Sequence, residues 1–306
     1  MLELLRAIAL RGRGNYQEAA AAAAALIGFD MTTKSFAAED PPSAAASPEG
    51  DRVARESAAL LASLFAERFK RPDDAMMILE HAAKTHPDDS TTWLLLARWR
   101  QARGDFTAAE AAVRRAAELA PDEPDVLFTS LELAVAQRRL DLAEQIAAKA
   151  KRLFPQDELS FRAQASVALQ RGSADQAVAV LREGLAALPE RPALMLMLAD
   201  VLIQSERLDE AEGILASFVT RYGSTNAAAG MLEARLLMAQ KRWLPAKQKL
   251  DSIRPMVAIS EDLTKQVDLL LGQCHEILGQ FDEQLAANKR VLRDDNDSLE
   301  IGRAHV

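Results

Sequence analysis

The sequence holds one cysteine, Cys274, which excludes an internal disulfide and any metal site built from several thiolates. Glycine and proline are scarce, 13 and 12 residues in 306, so little of the chain is available for loops. Aromatic residues make up only 5 %, and the apolar fraction of 49 % comes mainly from alanine and leucine, which favour helices over strands. No uninterrupted apolar run approaches the roughly 18 residues needed to cross a bilayer. An excess of positive charge is also missing: 37 basic against 45 acidic side chains leave a net charge of −8. That balance argues against nucleic acid or anionic lipid as the main partner, since both are held by clustered lysine and arginine. Met1 to Arg6 lack the basic start and apolar core of a secretory leader. The compartment stays open, cytoplasmic by default and periplasmic if a signal lies upstream.

What the sequence does have is a period. Pro87, Pro121, Pro155 and Pro189 stand 34 residues apart, and Ala75, Ala109, Ala143, Ala177 and Ala211 keep the same step. A one-residue slip then gives Ala246, with Trp243 three before it. Small residues at a fixed step mark places where two helices touch closely, and each proline stops one unit before the next begins. Within a unit, apolar residues recur at steps of three and four, which predicts two helices of about a dozen residues, each with one buried stripe. Gly104 and Gly172 lie between the two and supply the positive φ of the turn.

The best copy runs from Thr91 to Pro121, with Trp93, Leu96, Ala97, Gly104, Phe106, Ala109, Val113, Ala116 and Pro121. It resembles the tetratricopeptide repeat, although Arg100 stands at the usual tyrosine and Ala97 at the usual glycine. The resemblance implies an all-α fold, a right-handed superhelix of antiparallel helix pairs with no sheet. Residues 1–29 are expected to form a partial helix pair and residues 30–50, rich in Pro, Ala and Ser, a linker or insert. Residues 51–297 then form an array of about seven repeats. The segment from Glu300 to Val306 reads like translated adapter sequence, so 298–306 is expected to be a disordered, non-native tail on a chain that continues in its gene.

Catalytic signatures are absent. No phosphate-binding glycine loop is present, and Gly12 and Gly14 belong to a helix turn. His81 and His86 are five apart, a spacing that does not converge on one helix face, and solvation accounts for them. Cys274 and His275 are adjacent, so on a helix they point apart. The acidic pairs Asp73-Asp74, Asp88-Asp89 and Asp294-Asp295 read as helix-start or inter-repeat residues, and Lys149, Lys151 and Arg152 as a solvated helix end. The chain is expected to be non-enzymatic, with no cofactor and no metal.

In the resembled family the fifth, ninth and twelfth residues of each first helix line a concave groove that binds protein segments. Carried across, that register points to Arg98, Phe128, Glu132, Arg162, Leu169, Asp200, Ile203, Arg235 and Met238. The charges alternate in sign, which suits the setting of register. Leu94, Leu196 and Met231 fall in the same set. The ninth positions carry no asparagine, so the carboxylate clamp of some co-chaperones is disfavoured. The expected role is a scaffold that binds a protein or peptide. Two alternatives are a recognition arm of a larger enzyme such as a glycosyltransferase, and an envelope scaffold for polysaccharide export or secretion.

Overall fold

A computed structural model describes residues 1–36, 48–258 and 260–303. The chain divides into two compact units, residues 1–154 and 155–306. The first holds α1 (Leu2–Gly12), α2 (Tyr16–Leu26), α3 (Pro48–Glu67), α4 (Pro72–Thr85), α5 (Ser90–Ala102), α6 (Phe106–Leu119), α7 (Pro124–Ala136) and α8 (Leu140–Leu153). The second holds α9 (Glu158–Gln170), α10 (Ala174–Ala187), α11 (Pro192–Gln204), α12 (Leu208–Tyr222), α13 (Ala227–Ala239), α14 (Trp243–Ile253), α15 (Glu261–Ile277) and α16 (Phe281–Arg303). Odd and even helices pair in sequence, so the all-α array of helix hairpins is the fold.

The hairpin turns share one construction. At Gly104 the chain takes φ +78°, and the N–H groups of Gly104 and Asp105 donate to the carbonyls of Gln101 and Arg100. Such crossed bonds satisfy carbonyls that the helix end would otherwise strand. The same pair of bonds recurs at Gly172, and again at Arg138, Glu206 and Lys241, where a charged side chain takes the left-handed backbone in place of glycine. One residue type does not mark the turn; position in the period does.

Close packing follows the alanines. Ala75, Ala109, Ala143, Ala177, Ala211 and Ala246 are all fully buried, each where the second helix of a pair crosses the first. A different accommodation occurs at Gly184 on α10, where an added Cβ would lie 2.9 Å from the Phe161 ring of α9. The repeat carbonyls are also clasped. Arg115 donates to the Pro87 carbonyl at 3.4 Å and Lys149 to that of Pro121 at 2.8 Å, and Arg221 reaches Pro189 in the same way. Lys149 pairs with Asp122 at 2.7 Å as well, so it ties successive repeats together and is more than a solvated helix end.

Three features depart from the expected boundaries. Strands β1 (Phe29–Asp30) and β2 (Ser35–Phe36) form a small antiparallel hairpin, so the fold is not wholly free of strand. Phe29 is buried edge-on against Phe65, and Phe36 stacks on His81 at 3.5 Å, so the start of the expected linker is anchored by aromatic packing. His81 is thus half-buried against a ring instead of solvated. The helix α3 then begins at Pro48, inside the 30–50 segment, whose residues 37–47 lie outside those described. At the other end α16 continues helically to Arg303, across most of the expected tail, because no proline or glycine interrupts the run before Gly302. Residues 304–306 lie outside those described.

Candidate binding groove

In the first unit the predicted residues come from α5 and α7. Arg98 is exposed, and its guanidinium donates through Nε and a terminal nitrogen to Thr129 Oγ1 at 3.2 and 3.0 Å. Thr129 is fully buried, so this pair fixes the arginine across two successive first helices. Phe128 is half-buried beside it on α7, and Glu132 is exposed one turn further along.

The second unit contains an open cavity. A cavity of about 720 Å³ opens between the first helices of its pairs, with Arg162 from α9, Leu196 and Asp200 from α11, Met231 and Arg235 from α13, and Leu269 from α15 on its wall. That volume lies in the range of sites that hold a ligand of small-molecule size or a few side chains. Its wall is mainly apolar, and Leu263 and Leu269 stay 39 % and 49 % exposed within it. Asp200 and Arg235 form an ion pair across the repeats, and Gln204 also donates to Asp200 at 2.8 Å. Arg162 lies 3.9 Å from Glu158, a looser contact that leaves its charge available at the rim.

Three predicted residues of the second unit do not reach this cavity. Ile203 is only 7 % exposed and packs with Leu198 and Leu202 in the core, so it is corrected from a ligand contact to a core residue. Its helix is apolar nearly all round, and a position that faces the groove in one repeat is drawn inward in another. Leu169 and Met238 are half-buried and lean on the cores around Leu194 and Leu250. Conversely, sequence reasoning missed the wall from α15, which brings Leu263, Gln266, Leu269 and Gln273. The tight turn Arg254–Val257 precedes α15 and breaks the 34-residue step, so the register could not be carried that far.

Cys274 is fully buried, and burial pushes its thiol up to about 11, which leaves it protonated and inert. His275 shares a hydrogen bond of 2.8 Å between Nδ1 and Gln280 Oε1 at a hairpin turn. Among the described residues no group of acidic, histidine or cysteine side chains is arranged to hold a metal, and no helix is long and apolar enough to cross a membrane.

Comparison with known proteins fits the repeat reading. Residues 66–127 and 168–221 match the family model of the tetratricopeptide repeat. The chain carries tetratricopeptide repeats. Among solved structures, a tetratricopeptide repeat protein from Parabacteroides merdae superposes with a TM-score of 0.63 at 14 % identity, over 88 % of this chain and 97 % of that one. Yeast Tom70 gives 0.61 at 16 % identity, over 99 % of this chain and 80 % of its own. The human IFIT1 dimer with m7Gppp-AAAA gives 0.52 at 16 %, over 91 % and 68 %. No curated protein matches the sequence significantly. At such identities the likeness is one of fold. One matched stretch falls in each unit, and the groove just described is lined by α9, α11, α13 and α15.

Proposed function

We propose that the protein is a non-enzymatic scaffold whose second unit binds an apolar, polypeptide-type segment in the cavity between α9, α11, α13 and α15. The observation that carries this reading is the convergence of Arg162, Asp200 and Arg235 on a wall of leucine and methionine. Methionine and leucine adapt to varied apolar side chains and supply affinity through burial. The Asp200–Arg235 ion pair and the loosely paired rim Arg162 select register and an acidic flank on the ligand. Arg98, Phe128 and Glu132 are proposed as a second contact set in the first unit.

Nucleic acid fits less well. A chain of net charge −8 offers this cavity two arginines, one of them already neutralised by Asp200, and phosphate backbones need clustered positive charge. IFIT1 shares the fold while its structure contains a capped oligonucleotide, so the distinction rests on these side chains and not on the architecture.

Selection of displayed peptides against the whole protein tests the proposal. Enriched peptides should share an apolar stripe with an acidic residue beside it. Leu269→Asp should abolish their binding, Arg162→Glu should shift preference toward basic flanks, and Phe128→Ala should weaken a ligand that reaches the first unit by about 1–3 kcal/mol. Leu244→Ala, an exposed residue of α14 away from the cavity, should change nothing. Equal binding to the Leu269→Asp variant would refute the site.

A further inference from the structure

A second, smaller cavity of about 290 Å³ lies in the second unit and shares no residue with the groove. Asp251 of α14, Arg254 of the turn after it, and Leu271 and His275 of α15 line one part of it. Glu283, Ala286 and Arg290 of α16 line the rest, and their steps of three and four put them on one helix face. The two arginines are fixed in place. Asp268, buried on α15, accepts from Nε and one terminal nitrogen of each, between 2.8 and 3.1 Å. Both reach its Oδ1, so the guanidinium groups are held side by side. Each has a further terminal nitrogen that Asp268 does not engage. Two cations share one carboxylate here, so the pair keeps a net positive charge. On the acidic side, Asp251 is already taken by Lys247 at 2.9 Å. Glu283 is exposed and holds no ion pair among the described residues. His275 is 7 % exposed, and with Nδ1 engaged by Gln280 its ring keeps Nε2 as a second polar atom.

We propose that this cavity binds a free amino acid with an aliphatic side chain. Its carboxylate bridges Arg254 and Arg290, its ammonium faces Glu283, and its side chain lies on Leu271 and Ala286. Guanidinium groups match a carboxylate in shape as well as in charge. Both signs of charge are needed in the ligand. An inorganic anion satisfies the arginines but meets Glu283 as a like charge, and a simple amine meets the arginines in the same way. A zwitterion answers both. Size agrees as well: at about 30 Å³ per water the cavity holds about ten water-sized groups, close to the number of non-hydrogen atoms in leucine. A nucleotide or a folded peptide is too large for it.

Calorimetric titration of the full chain with L-leucine, its deaminated acid 4-methylpentanoate and its amide leucinamide tests the proposal. Leucine should bind saturably. Each analogue should bind about tenfold more weakly or worse, since each lacks one charged contact. Glu283→Gln should bring leucine down to the level of 4-methylpentanoate, with an unchanged circular dichroism spectrum because Glu283 is exposed and unpaired among the described residues. Ala286→Leu fills the cavity from an exposed position while keeping every charge, and it should abolish binding of leucine. Absence of saturable binding overturns the proposal, and so does equal affinity for the three ligands. Leucine affinity that either variant leaves unchanged also overturns it, since the amino acid then binds elsewhere.

Discussion

Four side chains occupy backbone that glycine would hold at ease. Lys70, Arg138, Glu206 and Lys241 have φ between +54° and +61°, at the turn where Gly104 and Gly172 sit in other repeats. Left-handed backbone costs an L-residue about 1–2 kcal/mol, partly offset by the flexibility that glycine brings to the unfolded chain. Glu206→Gly should therefore raise stability by about 0.5–1 kcal/mol in urea titration, while Gly172→Ala should lower it by about 1–2 kcal/mol. The glycine turns were readable from the sequence, and the four charged ones only through the period, because no feature of lysine, arginine or glutamate announces a positive φ. His81 was misread for a related reason: its ring partner, Phe36, lies on a hairpin that no repeat pattern predicts. Burial, with Lys84 and His86 nearby, holds His81 below the ordinary histidine value, so its protonation favours the unfolded chain. The packing of β1 and β2 should be intact above about pH 6.5 and weaken as pH falls through the lowered folded value. Hydrogen exchange in Phe29 to Phe36 should show that loss, and His81→Phe should remove it.

Among the elements, α16 depends on a single carboxylate. Asp268 on α15 is 2 % exposed and receives Arg254 at 2.8 and 3.0 Å and Arg290 of α16 at 2.8 and 3.1 Å. Burial would raise its pKa, yet the hydrogen bonds and charges of the two arginines outweigh burial and hold it below the usual carboxylate range. Removal of a buried partner leaves two cations facing each other, and their partial exposure moderates the cost to about 1–3 kcal/mol. Asp268→Asn should lose that stability and release α16 first. For a lowered carboxylate the contribution is complete above about pH 4 and fades as pH falls through the folded value. A urea series at several pH values should show this slope in the wild type and its absence in the variant. None of this was readable in advance, since Arg254, Asp268 and Arg290 belong to three different elements and to no repeat position. The helix pairs themselves were, because 34-residue spacing, buried alanine and the closing proline all point to one arrangement.

For the whole molecule, repeat arrays draw stability from neighbours, so regions of unequal packing need not melt together. Trp93 and Trp99 lie in the first unit and Trp243 in the second. Fluorescence of single-tryptophan variants should give separate midpoints, and coincident curves would show one cooperative block. The repeat register could be carried along α9, α11 and α13 and was lost at α15, where the step lengthens and local pattern no longer predicts which face points inward. The clasped proline carbonyls have a further consequence. Pro87 and Pro121 close successive repeats with the same contact, a cation 28 residues downstream reaching back to the carbonyl. Excision of Pro87–Ala120 would join His86 to Pro121 at an equivalent seam, with Lys149 still in place to close it. The shortened chain should fold, and a deletion of the same length begun half a repeat later should not. A gene built this way can gain or lose whole periods by recombination and keep encoding a protein that folds.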